Sequence, residues 1–228
     1  TKQTHLITGA SGGMIGAAFY RENYKKGING ETMVNGNEMK RRISKDLLNP
    51  LAFSIATTDM FYRFKKHDDG KYIYTKDRGW FFEKNLIENL NCFEGKRILD
   101  YKLPEYYSDI PMMIFSPSVV NDGRRLLISP QKITFLCNTD TSLFSGKIAL
   151  ENIEFSTLFN KNDPQYLKIS SAMRMNATFP YILPMVFLPS EPKIEIMDAG
   201  LRDNLGLTTS IKYIDCLLYT PDAPDDMQ

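Results

Sequence analysis

The alternation of apolar and polar residues near the start of the chain predicts a strand that runs directly into a helix. Residues 5–8 read His-Leu-Ile-Thr, a short apolar run that is typical of a buried strand. Residues 14–26 carry apolar side chains at helical spacing, and two lysines followed by Gly27 indicate the end of that helix. The residues between strand and helix, 9–13, read Gly-Ala-Ser-Gly-Gly and predict a tight turn.

The rest of the pattern mixes helices with strands. Asn121-Asp122-Gly123 is a strong turn signal between two apolar runs and predicts a β-hairpin. Predicted helices occupy 37–64 with a break near Asn49-Pro50, 80–90, 167–178 and 205–214, predicted strands occupy 112–115, 125–128, 133–137 and 194–197, and 67–70 is a predicted polar turn. Long helical stretches between strands favour the α/β class.

Composition limits the chain to one substantial core and excludes several functional classes. It has 228 residues, of which 43% are hydrophobic, and a net charge of +1. The near balance of charge argues against a nucleic-acid partner, and no apolar run reaches the roughly 18 residues of a membrane helix. The three cysteines, Cys92, Cys137 and Cys216, are widely spaced and odd in number, so neither a disulfide framework nor a zinc site is expected.

The two ends of the sequence carry expectations of their own. The chain begins at Thr1, almost inside the first strand, which predicts that the domain over residues 1–215 is N-terminally incomplete. Residues 216–228 lack periodicity, end in a Pro/Asp-rich stretch and resemble the translation of a transposon-end sequencing adapter. We therefore expect 216–228 to be a non-native or disordered tail.

The turn at 9–13 matches the G-x-S-x-G pattern of a nucleophile elbow. In such an elbow the strand turns sharply into the helix, so that the serine Oγ stands exposed at the carboxyl end of the strand. Glycines are expected to allow the strained turn, and the helix N-terminus directs N–H groups at developing negative charge. The elements predicted on either side favour Ser11 as a nucleophile.

A dinucleotide-binding turn is the alternative interpretation of the same residues. Glycine-rich turns of short-chain dehydrogenases resemble residues 8–16 and hold a pyrophosphate at a helix N-terminus. Their spacing requires glycine where this chain has Ile15, and Gly16 comes one residue late. The Tyr-x-x-x-Lys pair of that family is not found at the expected distance downstream, so an NAD(P)-binding oxidoreductase is the weaker hypothesis.

A histidine base for Ser11 is not expected. The chain has two histidines: His5 lies on the serine strand, and His67 lies in a predicted loop, where solvation is the ordinary role. A carboxylate can accept the serine proton if it lies within hydrogen-bond reach. Asp198 directly follows the predicted strand 194–197, at the strand end where open α/β sheets bind ligands. A helix-capping aspartate is the alternative role for Asp198.

Taken together, the two motifs resemble those of the patatin-like phospholipases. Residues 9–13 resemble the serine motif of that family, and Asp198-Ala199-Gly200 resembles its aspartate motif, with Ala199 in place of the middle glycine. The continuation through Asn204 is also similar, as are a Ser-Ala pair near residue 171 and the proline-rich stretch 179–189. The resemblance spans residues 4–214 and is strongest at its two ends.

This resemblance implies a three-layer α/β/α sandwich with a mostly parallel central sheet, here truncated, and a serine–aspartate dyad. Ser11 would form an acyl-enzyme and Asp198 would act as its base. Gly9, Gly12 and Gly13 would form the elbow and oxyanion site, and Gly200 and Asn204 would support the aspartate. The implied substrate is a lipid or phospholipid ester at a membrane surface, with no cofactor or metal, in a cytoplasmic or peripheral-membrane protein.

Two departures from the family pattern affect these expectations. The family has a glycine-rich oxyanion loop upstream of the serine strand, and the printed sequence contains none. Losing one oxyanion donor costs about 10²–10³ in rate, so this chain is expected to be slow or inactive. Ala199 is harmless if its φ is negative and damaging if its φ is positive. A non-catalytic lipid-binding relative is therefore a further alternative.

Overall fold

The computed structural model describes residues 3–53, 55, 57, 66–68, 73–75, 77–137, 151–161 and 163–218. The α-helices in these residues are α1 (Ser11–Ile28), α2 (Gly36–Ile43), α3 (Leu48–Phe53), α4 (Arg78–Leu90), α5 (Lys102–Tyr106), α6 (Phe155–Leu158), α7 (Ile169–Asn176) and α8 (Leu207–Leu218). The strands are β1 (Leu6–Thr8), β2 (Lys66–Asp68), β3 (Ile73–Thr75), β4 (Met112–Ile114), β5 (Ser118–Val119), β6 (Arg125–Leu127), β7 (Asn152–Glu154), β8 (Val186–Phe187) and β9 (Glu195–Met197). The chain is mixed α/β, as its pattern predicts.

The extended segment 112–120, which contains β4 and β5, organises the sheet around Ser11. β4 pairs in parallel with β1, and β5 pairs antiparallel with β6 and with β9. A bridge between Phe115 and Ile128 continues the β5–β6 ladder in the same register, and Gly123 N–H donates to the Val119 carbonyl in the turn. The hairpin predicted around 121–123 is therefore present, with its first strand extending to Val119.

β1 and β9 lie along the same edge of segment 112–120. The N–H of Met112 donates to His5 O beside β1 at 2.9 Å, and the N–H of Val120 donates to Glu195 O on β9 at 2.8 Å. Backbone groups of alternate residues point to the same edge of a strand. β1 runs parallel to the segment and β9 runs antiparallel to it, so the carboxyl ends of β1 and β9 face each other across Ser116.

The pairing of the strands is parallel around Ser11 and mixed farther away. β1 and β4 form a parallel pair, whereas the five-stranded sheet has the order β7-β6-β5-β9-β8. Within that sheet only β6 and β7 are parallel, and the other three pairs of described strands are antiparallel. Antiparallel β9 brings Asp198 to the serine, because its carboxyl end meets the carboxyl end of β1.

Apolar side chains fill both faces of the sheet. The larger cluster contains Met113 and lies on the side covered by α1, α4 and α7. The smaller cluster contains Ile114 and Leu127, which point to the other face because successive strand residues alternate. Tyr213 and Cys216 of α8 pack against this smaller cluster. Helical elements therefore cover both faces of the strands that position Ser11 and Asp198.

Two predicted elements have a different structure. The strand predicted over 133–137 is a 3-10 turn, Thr134–Cys137, because Ile133 and Leu136 both enter the smaller cluster and their three-residue spacing suits a helical turn. The polar turn predicted over 67–70 begins inside β2, which pairs antiparallel with β3, so His67 lies on a strand and not in a loop. Residues 69 and 70 lie outside the described residues.

The predicted helix boundaries also shift. α1 continues through Gly27 to Ile28, and the left-handed glycine after it is Gly30, with φ of +74°. The break expected near Pro50 lies earlier, between α2 and α3, because proline is tolerated in a first helical turn. α8 extends to Leu218 and includes Cys216, so residues 216–218 are helical, and the non-native or disordered character of 216–228 stays a prediction. Residues 219–228 lie outside the described residues.

Candidate active site

Ser11 is the first residue of α1 and follows β1 after two residues. Its φ is +50°, in the left-handed region, which costs a non-glycine residue about 1–2 kcal/mol. Ala10 before it is extended, so the backbone changes direction within one residue. Strain of this kind persists only where the surrounding structure holds it, and it clusters at active sites. Ser11 thus has the backbone geometry of a nucleophile elbow.

The glycines around Ser11 do not carry this strain. None of Gly9, Gly12 and Gly13 has a left-handed φ, and a Cβ on Gly12 or Gly13 would meet open space. A Cβ on Gly9 would make only ordinary contact with the Met14 side chain. The expectation that these glycines provide the strained turn is therefore wrong, because Ser11 itself adopts the left-handed conformation. Gly12 and Gly13 instead leave the first turn of α1 exposed.

The N-terminus of α1 is open, unlike the N-termini of two other helices. Asn35 caps α2 by accepting the Glu38 N–H, and Asp77 caps α4 by accepting the Trp80 N–H. The cap residue of α1, Ala10, provides no such side-chain oxygen. The first N–H groups of a helix lack intrahelical partners and carry partial positive charge. The first turn of α1 can therefore donate to an anion that forms beside Ser11.

Asp198 is held rigidly at the end of β9. Its residue surface is only 3% exposed. Its N–H donates to Thr178 O at 3.0 Å, and its carbonyl accepts the Ser118 hydroxyl at 2.9 Å. Its Oδ1 accepts the Gly200 N–H at 2.7 Å, which caps the 3-10 turn Ala199–Leu201. The capping role proposed as an alternative is thus real, but it occupies only one of the two carboxylate oxygens.

The other oxygen, Oδ2, has no hydrogen-bond partner among the described residues. Burial raises the pKa of Asp198 above its usual 3.8, while the Gly200 N–H and the Ser11 hydroxyl oppose that rise. Oδ2 is shielded from solvent and makes no hydrogen bond of full geometry with any described residue. Ser11 is therefore near enough to influence Asp198 electrostatically, but the contact is looser than a complete hydrogen bond. Loose contacts of this kind are common in catalytic pairs without substrate.

A backbone contact between the two ends of the chain holds the elbow in place. Gly206 has φ of +70°, and a Cβ there would lie 2.5 Å from Gly9 N and 2.6 Å from Gly9 Cα. The Thr8 hydroxyl donates to Gly206 O at 2.9 Å and lies 2.6 Å from the Ser210 hydroxyl. The turn after Asp198 therefore packs directly on the backbone before Ser11, and only glycine leaves room for it.

The residues expected to support Asp198 lie beside it. A Cβ on Gly200 would come within 2.9 Å of Asp198 Oδ1 and 3.1 Å of Asn204 Oδ1, so the three groups are in close proximity. Asn204 is exposed. Ala199 is fully buried and its φ is not left-handed, so its methyl group replaces the glycine of the resembling motif without backbone strain.

Three further residues that position the pair were not predicted. Gly206 contacts the elbow, Thr178 binds the Asp198 backbone, and the Asn176 side chain bonds to Gly9 O at 3.2 Å. Asn176 carries a weak sequence signal, since it is a polar residue among the apolar residues near the end of predicted helix 167–178. Gly206 lies inside the predicted helix 205–214, whereas the helix begins at Leu207 in the structure, so the pattern gave no indication of its contact with Gly9. Their partners lie far away in sequence, so local patterns do not reveal these contacts.

Other reactive side chains lie apart from the pair. His5 is exposed, and its backbone carbonyl bonds to β4. Burial raises the pKa of Cys92 to about 12 and that of Cys137 to about 11, which keeps both thiols protonated. Within the described part of the chain, no cluster of three potential metal ligands occurs, and no helix has the length and apolarity needed to span a bilayer.

Comparisons of the chain with protein-family models, curated proteins and solved structures found no match.

Proposed function

We propose that this protein is a serine acyl hydrolase in which Ser11 is the nucleophile and Asp198 is the base. The observation that carries the proposal is the meeting of a left-handed serine, at a strand-to-helix turn, with a buried aspartate whose Oδ2 has no hydrogen-bond partner among the described residues. A serine hydroxyl becomes a useful nucleophile only beside a group that can take its proton. Asp198 is the carboxylate in the described structure that the Ser11 hydroxyl influences.

The arrangement supports a two-step ester hydrolysis. Ser11 Oγ attacks the ester carbonyl carbon while its proton passes to Asp198 Oδ2. The tetrahedral intermediate collapses as the C–O bond breaks, and the alcohol leaves with the proton from Asp198. Water then attacks the acyl-enzyme and gives a proton to Asp198. As the acyl C–O bond to Ser11 breaks and the carboxylic acid departs, that proton passes from Asp198 to Ser11 Oγ, which restores both residues. Because burial raises the pKa of Asp198, its carboxylate is a stronger base than an exposed aspartate.

The first turn of α1 is the proposed oxyanion site. The Gly12 N–H is next to the nucleophile, and Gly12 and Gly13 are exposed with no side chain over them. The resembling family adds donors from a glycine-rich loop that the printed sequence does not contain. Each oxyanion donor is worth about 10²–10³ in rate, so the Gly12 N–H is expected to contribute on that scale.

The patatin-like assignment, with its α/β/α sandwich and lipid or phospholipid substrate, is the finer part of this proposal. It rests on the two motifs and on the similar residues near them, and it implies hydrolysis at a membrane surface by a cytoplasmic or peripheral-membrane protein. The mixed sheet with helical elements on both faces is compatible with such a sandwich. The exposed aromatic side chains of Phe179 and Phe187 lie in the proline-rich stretch before Asp198 and are suited to apolar substrates.

Covalent labelling tests the proposal directly. Purified protein is treated with a fluorophosphonate probe, the labelled peptide is identified by mass spectrometry, and hydrolysis of p-nitrophenyl esters is measured in parallel. We expect labelling at Ser11, because the adduct accumulates even when turnover is slow. Ser11→Ala should abolish labelling and turnover, and Asp198→Asn should lower both by at least 10³-fold, roughly the loss seen when a catalytic base is removed.

Matched controls separate chemistry from folding. Ser108 also has a left-handed φ, +59°, but it is exposed and its N–H donates to Glu105 O at 3.1 Å, so Ser108→Ala should label normally. Asp203 is another buried aspartate in the same loop, and it bonds to the N–H groups of Thr208 and Thr209. Asp203→Asn should retain most of the labelling. Folded protein that leaves Ser11 unlabelled would overturn the proposal, and tight NADPH binding without esterase activity would favour the oxidoreductase alternative.

A further inference from the structure

The sheet has a gap at the point where the two halves of the candidate site meet. β1 pairs with residues 112–114 and β9 pairs with residues 118–119 on the same edge of the central segment. Ser116 lies between these two pairings, and it is completely buried. Its N–H therefore faces an edge on which neither strand reaches it. A buried N–H without a partner costs about as much as a lost hydrogen bond, so this gap must be filled.

The side chain of Asn176 fills the gap. Its Oδ1 accepts the Ser116 N–H at 3.0 Å, and its Nδ2 donates to Gly9 O at 3.2 Å. A carboxamide offers one acceptor and two donors, so it replaces the peptide group of a missing strand residue. The carboxamide must place Oδ1 toward the Ser116 N–H and Nδ2 toward Gly9 O, because a backbone N–H can only donate and a carbonyl can only accept. Asn176 is itself fully buried.

The same stretch of chain also holds Asp198. Thr178, two residues after Asn176, accepts the Asp198 N–H at 3.0 Å. Residues 176–178 therefore make two contacts with the site. The Asn176 side chain bonds to the backbone before Ser11, and the Thr178 carbonyl bonds to the backbone of Asp198. We call residues 176–178 the bridging segment. Its position sets the separation between Ser11 and Asp198.

The bridging segment is anchored by polar contacts between α7 and α4. Glu83 on α4 accepts the hydroxyls of Ser170 and Ser171 at 2.6 and 2.9 Å. Arg174 forms an ion pair with Asp77, the cap of α4, at 3.4 Å. These contacts fix the helix that ends at Asn176. The carboxamide therefore sits on a rigid element, which is what precise positioning of a nucleophile requires.

We propose that Asn176 is a positioning residue for Ser11: its carboxamide fixes the Gly9 carbonyl and thereby the turn that aims Ser11 at Asp198. The inference rests on the proposed acyl-hydrolase function. Asn176 does not touch the reacting atoms, so it acts through the geometry of the elbow. A displacement of the serine by about 1 Å can lower a rate by as much as about 100-fold, and removal of the carboxamide frees the elbow for such a displacement.

The experiment compares the rate constant for fluorophosphonate labelling of Ser11 in wild type, Asn176→Ala and Asn176→Asp, with the melting temperature of each variant. Asn152 provides the control, because it is also buried and its Nδ2 donates to Leu136 O at 2.7 Å, away from the site. Asn152→Ala should lower the melting temperature by a similar amount but leave the labelling rate within about 2-fold of wild type. Asn176→Ala should lower the labelling rate by about 10- to 100-fold.

Asn176→Asp adds a pH-dependent readout that a purely structural role would not give. An ionised aspartate cannot donate to Gly9 O, whereas a protonated aspartate can. The labelling rate of Asn176→Asp, expressed as a ratio to wild type at each pH, should therefore rise as pH falls. The same ratio for Asn176→Ala should stay flat. Dividing by wild type removes the common effect of Asp198 protonation.

Two outcomes would overturn the role of Asn176. In the first, Asn176→Ala and Asn152→Ala lose the same amount of melting temperature, and the labelling rate of Asn176→Ala falls no more than that of Asn152→Ala. The other is a flat pH ratio for Asn176→Asp. Wild type that fails to label would instead count against the acyl-hydrolase function. In that case a crystal structure of Asn176→Asp decides the inference, and a Ser11 φ still near +50° would contradict it.

Discussion

At the scale of single residues, the candidate chemistry depends on a strained serine and a buried carboxylate. Ser11 has a left-handed φ at the start of α1, and one oxygen of Asp198 is buried with no hydrogen-bond partner among the described residues. Both features are unfavourable for folding on their own. Contacts at Gly206, Thr178 and Asn176 hold Ser11 and Asp198 in place, and these contacts offset the unfavourable free energy of the strained serine and the buried carboxylate.

The pH dependence of labelling follows from the pKa of Asp198. The base must be ionised to take the serine proton, and burial shifts its pKa upward from 3.8. We expect the labelling rate to fall as pH decreases, with a midpoint above 3.8, in rate constants measured from about pH 3.5 to about pH 8. A midpoint at or below 3.8 would contradict the buried environment of the base.

The strain at Ser11 predicts a stability change that is independent of catalysis. Glycine adopts a left-handed φ at little cost, whereas alanine and serine lose about 1–2 kcal/mol. Ser11→Gly should therefore unfold with a free energy about 1 kcal/mol higher than Ser11→Ala in urea denaturation. Ser108, with φ of +59°, should show the same difference between its glycine and alanine variants. Equal stabilities of Ser11→Gly and Ser11→Ala would argue against the left-handed elbow.

At the scale of elements, the site is the meeting point of two strand ends and one helix N-terminus. β1 and β9 approach each other along one edge of the central segment, and α1 begins directly beside their ends. The turn between β9 and α8 then packs on β1 through Gly206. The close approach of Gly206 to Gly9 prevents the elbow from moving toward the loop after Asp198.

Gly206→Ala tests this contact against a matched glycine. Gly206 and Gly30 have similar φ values, +70° and +74°, but a Cβ on Gly30 would meet no atom within 4 Å. Gly30→Ala should therefore lower the free energy of unfolding by about 1–2 kcal/mol, the cost of φ alone. Gly206→Ala should lose about 1–3 kcal/mol more, because the new methyl group collides with backbone. It should also reduce Ser11 labelling, whereas Gly30→Ala should not; equal effects would contradict the close packing.

At the scale of the whole molecule, a buried ion pair joins α1 to the segment that leads into β4. Arg21 of α1 donates to Glu105 of α5, and both side chains are almost completely buried. Glu105 also accepts the Met113 N–H at 3.2 Å, and Arg21 donates to Pro111 O at 3.3 Å. The pair thereby fixes the helix that begins at Ser11 against the strand beside β1.

Removal of one partner from this pair should be much more costly than removal of both. Arg21→Met leaves Glu105 buried and unpaired, which should lower the free energy of unfolding by about 3–5 kcal/mol at pH 8. The double variant with Glu105→Leu should recover most of that loss, because no uncompensated charge remains. Urea denaturation of the four proteins measures the coupling. A double variant as unstable as Arg21→Met would contradict it.

The pH dependence of this pair has a definite sign. Burial raises the pKa of Glu105 from 4.5 to about 7, with Arg21 opposing the rise. When the pKa of a group is higher in the folded state than in the unfolded state, protonation of that group stabilises the folded state. This contribution is complete below the unfolded pKa and is lost as pH rises through the folded pKa. The stability of wild type relative to Glu105→Gln should therefore decrease between about pH 4.5 and pH 7. An increase over this window would overturn the assignment.

Local patterns were sufficient for several features of this protein. The strand-to-helix turn at Ser11, the hairpin around Gly123, the helix after Asp77 and the strand before Asp198 all follow from apolar spacing and turn residues that act within a few positions. The chemical types of the candidate pair were also visible in the sequence, because a serine in a glycine-rich turn and an aspartate after a strand are local motifs. These features need no knowledge of distant contacts.

Only the tertiary structure decided how those features come together. The antiparallel direction of β9, the carboxamide of Asn176 in the sheet gap and the contact of Gly206 with Gly9 depend on residues from opposite ends of the chain. The 3-10 turn at Thr134–Cys137 replaced a predicted strand for the same reason, since the position of the smaller cluster selected its spacing. Local propensity sets which elements form, whereas packing and the need to satisfy buried backbone groups set which side chains meet.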